Sequence, residues 1–266
     1  MNLEQDSLIP GFIIKELGQS LFATNTIFHK SLNSTNTLAK ELASDGAPEG
    51  TVVITEVQTS GRGRMGRRWF SSGKMNMLFS VLLRPDLHQD QIFILTMILA
   101  LATIEAVKGA AGLRCLIKWP NDLYVGRKKL AGILTEVSLR DGETDYVILG
   151  LGLNVNWKPE DEREISNPAT SIFAETGIKV SRNDLLIKTL RLLEKYYHDV
   201  QSGRVDDFYK RWNALSLIMG REVEIESAEG KICGKAIRME YNGALIIEDN
   251  RGEEHKVLSG DLSVKL

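Results

Sequence analysis

Four arginines fall within seven positions of the stretch GRGRMGRRWFSSGK, residues 61–74: Arg62, Arg64, Arg67 and Arg68. Gly61, Gly63 and Gly66 are interleaved with them. Guanidinium forks on a backbone rich in accessible N–H groups suit a ligand that carries phosphate and carboxylate together. The competing reading is a solvated charged loop. The stretch satisfies G-x-G-x-x-G, but a dinucleotide fold needs a helix to begin at the last glycine. RRWFSSGK has no apolar periodicity, and a strand is expected from Met75, so a crossover helix does not fit. A P-loop is excluded too, because the glycine–lysine spacing ahead of Lys74 is wrong and Met75 stands where Ser or Thr is required. The catalytic and metal-binding motifs of a protein kinase are not found. Like charges on a glycine-rich backbone predict a loop that is mobile until a ligand arrives.

Three other segments offer chemistry. IKWPNDLYV, 117–125, carries Lys118, Trp119-Pro120 and Asn121-Asp122 at the end of an expected strand. RKKLAGILTE, 127–136, places Lys129 just before Ala131-Gly132, a small pair where backbone can approach a ligand. GLGLNVN, 150–156, ends a strand in glycines and two asparagines. Each alone could be a turn, an edge or a bulge; their conjunction is what points to a site.

The elements that must position them are legible in outline. TVVITEV (51–57), MNMLFSVLL (75–83), LRCLIKW (113–119) and DYVILGLGLNVN (145–156) read as strands, and DLYV with KKLAGILTEVSL reads as a hairpin about Gly126. Residues 88–111 read as a helix closed by Gly112. Residues 182–200 read as a second, with Leu185, Leu186, Leu190, Leu193 and Tyr197 on one face and Ser181 or Asn183 as its cap. From about Gly220 apolar and polar residues alternate between turns at Ala-Glu-Gly, Tyr-Asn-Gly and Asn-Arg-Gly, which predicts a small barrel. The expected division is therefore 1–218, an α+β part with a mixed sheet, and 219–266, the barrel.

A net charge of −2, from 33 basic and 35 acidic residues, argues against general polyanion binding. The apolar run at 92–107 is broken by Thr96, Thr103 and Glu105, so a buried helix is expected, not a membrane span. Cys115 and Cys233, far apart and without a signal peptide ahead of them, read as reduced thiols of a cytoplasmic protein. His29, His88, His198 and His255 lack the spacing of a zinc site.

Together with SLNSTNTLAKELA at 31–43, these segments resemble biotin protein ligase, from about residue 22 to the end of the chain. The resemblance rests on Ser-Thr-Asn, then Gln58 with Gly-Arg-Gly-Arg-x-Gly-Arg-x-Trp, Lys-Trp-Pro-Asn-Asp, Lys-Leu-Ala-Gly-Ile-Leu and Gly-x-Gly-x-Asn, in that order. It implies a catalytic domain like that of class II aminoacyl-tRNA synthetases, followed by an SH3-like barrel. The implied substrates are biotin and ATP with Mg²⁺. The implied partner is a biotin carboxyl carrier protein presenting a lysine, and a homodimer is possible. The implied biotin contacts are Ser34, Thr35, Asn36 and Gln58. Gly61, Arg62, Gly63 and Arg64 would follow the biotin tail and adenylate phosphate, with Arg67 and Trp69 in the closing part of the loop. Lys129 is the implied catalytic cation, assisted by Arg64 and Arg67. Lys118, Asn121, Asp122 and Asn154 are assigned to ATP, with Asp122 also to the metal, and Gly132 and Ile133 to the pocket wall. Arg68 and Lys74 read as solvated and Trp119 as core. Met65 departs from the family pattern, in which many members carry a further arginine or lysine. Lipoate or octanoate ligases and transferases of the same superfamily are the alternative. Some family members repress transcription through an N-terminal helix-turn-helix domain. Here about thirty residues precede Ser34 and hold no basic helical pair, so no DNA binding is expected.

Overall fold

The computed structural model describes residues 7–70, 73–158, 168–227, 230–258 and 260–264. Ser71 and Ser72 of the arginine segment, and Ala228-Glu229 of the first expected barrel turn, lie outside the described residues.

A seven-stranded mixed sheet forms the larger layer. Its strands are β1 (Thr26–His29), β2 (Val52–Thr55), β3 (Asn76–Leu83), β4 (Leu116–Lys118), β5 (Asp122–Val125), β6 (Lys128–Arg140) and β7 (Glu143–Asn154), in the order β1-β2-β3-β7-β6-β5-β4. Only β1 and β2 run parallel; the other neighbours are antiparallel. The connection from β2 to the antiparallel β3 is thus a strand–loop–strand turn, and among the described residues no crossover helix follows GRGRMG, as the spacing required.

Side chains alternate across a strand, so each strand sends every second residue to one face. Phe79 and Val81 of β3 and Leu149, Leu151 and Leu153 of β7 join the main apolar core. Against that face pack α1 (Pro10–Leu17), α3 (Phe93–Ala111) and α5 (Arg182–Gln201). α3 is buried on nearly all sides from Ile94 to Val107, which is why its sequence is apolar without a polar stripe. With its preceding turn it is long and apolar enough to cross a membrane, and 78% of its apolar stretch is buried inside the protein. α6 (Asp206–Leu215) closes this layer through Phe208 and Trp212. The short α4 (Ile172–Thr176) is capped by Ser171, whose hydroxyl accepts from Ala174 N.

The opposite face is covered only in part. There α2 (Thr35–Ser44) lays Ala39 and Ala43 on Val53, Leu82, Tyr146 and Ile148. Continuing along that face of β7 past α2, the next residues are Gly150, Gly152 and Asn154, and the site is built over this stretch.

A separate five-stranded antiparallel sheet, β8 (Glu222–Ser227), β9 (Gly230–Met239), β10 (Leu245–Glu248), β11 (Glu254–Val257) and β12 (Asp261–Val264), has the order β11-β10-β9-β8-β12. It is joined to the main body by the Trp119 indole, which donates to Gly243 O at 2.9 Å. Trp119 is 3% exposed, in keeping with its reading as core.

Two boundaries differ from the sequence reading by three residues or more. The strand expected over 113–119 shrinks to Leu116–Lys118, because its pairing extends only over the three residues opposite Asp122–Tyr124. The helix expected from residue 88 begins at Phe93, after a 3-10 turn Gln89–Gln91 that His88 caps. Gly112 ends α3 in the left-handed conformation (φ 65°), with its N–H on Lys108 O. Of the two possible caps of α5, Ser181 takes the role, accepting from Asp184 N, while Asn183 accepts from Ile9 N.

Candidate active site

A cavity of about 700 Å³ opens on the glycine stretch of β7. Strand register builds its floor. Ser80, Gly150 and Leu134 lie side by side across β3, β7 and β6; Leu78, Gly152, Gly132 and Asp122 form the next such row. A Cβ on Gly150 would sit 1.9 Å from Asn36 Oδ1, and one on Gly152 would sit 2.4 Å from the Trp69 ring. The glycines are required by what lies on them.

The first wall is the N-terminus of α2. Gln58 Oε1 accepts from Thr35 N at 2.8 Å and from Thr35 Oγ1 at 3.2 Å, satisfying a donor that the helix cannot satisfy itself. Ser34, the N-cap, is buried and makes no side-chain cap bond. Asn36, 3% exposed, donates to Leu134 O at 3.1 Å and to Glu136 Oε2 at 2.9 Å, and accepts from Ser80 Oγ at 2.6 Å. Ser80 Oγ is also 2.7 Å from Thr35 Oγ1.

The arginine loop is the second wall, and it is fastened upon itself. Gly63 N–H donates to Arg67 O at 2.7 Å, Trp69 N–H donates to Gly61 O at 2.9 Å, and Arg62 faces Arg68 in an antiparallel bridge. Met65 (φ 54°) and Gly66 (φ 73°) turn the chain at its tip, and the Met65 side chain is 67% exposed. The Trp69 ring lies over Gly152 and Gly132. Its Nε1 is buried without a partner among the described residues, as is that of Trp157 on the same cavity. Arg68 stacks on Phe70 at 5.5 Å.

The third wall carries the cation. Lys129 Nζ is 2.7 Å from Asp122 Oδ1 and 5.6 Å from the Trp69 ring centroid. The β5–β6 hairpin holds the pair, and Lys129 is pinned from outside by its N–H on Pro168 O and its carbonyl on Thr170 N. Asn121 fastens the preceding turn, exchanging bonds with the Ile133 backbone, and stands 3.5 Å from Arg64 Nη1. Lys118 Nζ lies 5.3 Å from the Tyr124 ring centroid, and burial pushes the Tyr124 hydroxyl up to about 12. Asn154 donates to Thr170 O at 2.9 Å. Gly260 and Leu262 place the second sheet on the cavity rim.

Nearly all the residues expected from the sequence therefore share this one cavity: Ser34, Thr35, Asn36, Gln58, Arg62, Gly63, Arg64, Arg67, Trp69, Lys118, Asn121, Asp122, Lys129, Gly132, Ile133 and Asn154. Gly61 does not line it. Gly61 is the buried base of the loop, where a Cβ would meet Trp69 O at 2.5 Å. The Ile133 side chain belongs to the apolar core on the other face, so it is its backbone that serves the site. Sequence reasoning missed Ser80, Glu136 and Trp157 and did not single out Gly150. Period-two counting from Gly132 reaches Glu136 on the same strand face, and Ser80 is the lone polar residue in MLFSVLL; both were findable signals.

Residues 28–154 match the Biotin/lipoate A/B protein ligase family. The bifunctional ligase/repressor BirA of Bacillus subtilis is 35% identical over 263 residues, spanning 98% of this chain and 79% of that protein. The biotin--[acetyl-CoA-carboxylase] ligase of Mycobacterium tuberculosis is 32% identical, spanning 86% of this chain and 85% of that one. Among solved structures, the biotin protein ligase of Aquifex aeolicus in complex with biotin and ATP is 31% identical with a TM-score of 0.77, over 91% of this chain and 99% of that one. Likeness at this level along almost the whole length, with the quoted motifs gathered on one cavity, means that the chain belongs to the biotin protein ligase family.

Proposed function

We propose that this chain is an ATP-dependent ligase that forms biotinyl-5′-AMP and passes the biotinyl group to a lysine of a biotin carboxyl carrier protein. The observation that carries this reading is the Lys129–Asp122 pair, 2.7 Å apart, on the same cavity as the Ser34–Asn36 wall and the arginine loop. In the first step a biotin carboxylate oxygen bonds to the α-phosphorus of ATP, the α–β phosphoanhydride bond breaks, and pyrophosphate leaves. Two anions must meet, and the work of the site is positioning and charge stabilisation. Lys129, Arg64 and Arg67 supply positive charge where both would lie. Thr35, Asn36 and Gln58 are the polar side chains assigned to the ureido ring, which needs both donors and acceptors. In the second step a neutral lysine amine attacks the acyl carbon, AMP leaves with the electrons of the broken acyl–oxygen bond, and the amine proton passes to water.

Asp122 is the residue that would hold Mg²⁺. One carboxylate on the cavity, one oxygen of it on Lys129, fits a cation that keeps waters and takes phosphate oxygens for its remaining ligands. Bound there, Mg²⁺ would neutralise phosphate charge. Lys118, Asn121 and Asn154 are assigned to the nucleotide. The sheet β8–β12 is read as the SH3-like barrel of residues 219–266, the rest as a catalytic domain like that of class II synthetases, and the protein as cytoplasmic and a possible homodimer. Incubation with biotin, Mg-ATP and a carrier domain tests the reading through the carrier's mass. Pyrophosphate exchange driven by lipoate and not by biotin would overturn it.

A further inference from the structure

Glu136 belongs to none of the motifs above, yet it joins two of the walls. It projects from the same face of β6 as Gly132 and Leu134. Its Oε2 accepts from Asn36 Nδ2 at 2.9 Å; its Oε1 is 3.1 Å from Lys40 Nζ and 3.3 Å from Arg62 Nη2. The Glu136 side chain is 17% exposed, against 48% for Arg62 and 42% for Lys40. Burial alone would raise its carboxyl. The Asn36 and Lys40 hydrogen bonds and the Arg62 charge outweigh burial and hold it below the ordinary range, so it is an anion at neutral pH.

Two consequences follow from these contacts. Both Asn36 amide protons are spent, on Leu134 O and Glu136, so Oδ1 is left to face Ser80; a flipped amide would set oxygen against two acceptors. Arg62, meanwhile, stands at the near stem of the loop, paired with Arg68, and its guanidinium reaches out of the loop to Glu136. We infer that Glu136 is a positioning residue that couples the arginine loop to the substrate wall, one carboxylate oxygen orienting Asn36 while the other holds Arg62. A ligand that engages Asn36 then favours the docked loop, and a docked loop favours the ligand, because such coupling is reciprocal. That the ligand is biotin rests on the proposed function; the tether does not.

The test is a double-mutant cycle on substrate-free protein, read by chymotrypsin cleavage after Trp69 or Phe70. Glu136→Gln keeps an acceptor for Asn36 but removes the charge from Arg62; Arg62→Gln removes the other partner. Each single variant should be cut about fivefold faster than wild type, and the double variant no faster than either, as expected of one shared contact. In biotin-dependent exchange, E136Q should raise KM about fivefold with little change in kcat, and E136A, which also releases Asn36, should raise it further. Additive effects in the double variant, or cleavage of R62Q at the wild-type rate, would overturn the tether. Should E136Q fail to fold, R62Q at its half-exposed position decides alone. Absence of biotin-dependent exchange in wild type would refute the ligase reading and leave the cleavage cycle intact as the judge of the tether.

Discussion

Gly150→Ala changes no residue that could touch a substrate through its side chain, yet it should disable the site. The added Cβ would lie 1.9 Å from Asn36 Oδ1 and 2.8 Å from Asn36 Cγ, so the amide must leave its seat. That seat holds bonds to Ser80, Leu134 O and Glu136, the last to a charged group. At about 0.5–1.5 kcal/mol for a neutral bond and 1.5–3 for one to a charge, displacement costs roughly 2.5–6 kcal/mol. Alanine recovers up to about 1 kcal/mol of the conformational penalty of glycine in a strand. The net loss of about 1.5–5 kcal/mol should lower the melting temperature by roughly 3–20 °C in a chain of this size. The KM for biotin in pyrophosphate exchange should rise at least about tenfold, the equivalent of one unmade contact of 1.4 kcal/mol. Calorimetry and exchange kinetics on the purified variant measure both. Truncation of the clashing partner provides the control: in an Asn36→Ala background, Gly150→Ala should cost nothing further in melting temperature. If Gly150→Ala melts and binds like wild type, or if its penalty persists without Asn36, the seat described for Asn36 is wrong.

Lys129→Ala should fold normally and lose at least about a hundredfold in adenylation, since a preorganised cation is removed from where charge develops; pyrophosphate exchange at wild-type rate would contradict the assignment. Because Glu136 is held below its ordinary value of 4.5, its contribution is complete above that pH and disappears as pH falls through the lower folded-state value. Cleavage of the loop by an acid-active protease should therefore accelerate on that descent in wild type and stay flat in Glu136→Gln. Burial pushes the Cys115 thiol up to about 12, whereas Cys233 is exposed. A disulfide reagent at about pH 8 should thus label Cys233 alone in the folded protein and both thiols after denaturation, because only an accessible thiolate reacts.

Much of the site was legible because it is written in contiguous segments. The arginine loop, Lys118 to Asp122 and Lys129 to Gly132 each declare polar chemistry within a few residues, and the short gap between Gly66 and Met75 excluded a crossover helix from spacing alone. Helix α5 was legible for a similar reason: its apolar stripe recurs at the helical period, and Ser181 precedes it.

What the linear order could not decide is which residues become neighbours across strands. Ser80, Gly150 and Leu134 meet only because β3, β7 and β6 pair in one register, and a slip of one residue would turn each to the other face. The buried pair of Glu56 and Arg182, 2.7 Å apart, likewise joins the strand leading to Gln58 with the start of α5 across 126 positions. Local sequence determined that a cationic loop, a lysine hairpin and a glycine-ended strand would exist. Tertiary pairing alone decided that Trp69 lies on Gly152, that Asn36 is seated against Gly150 and that Glu136 spans two walls, because these are contacts between segments whose separation the chain does not encode by any local period.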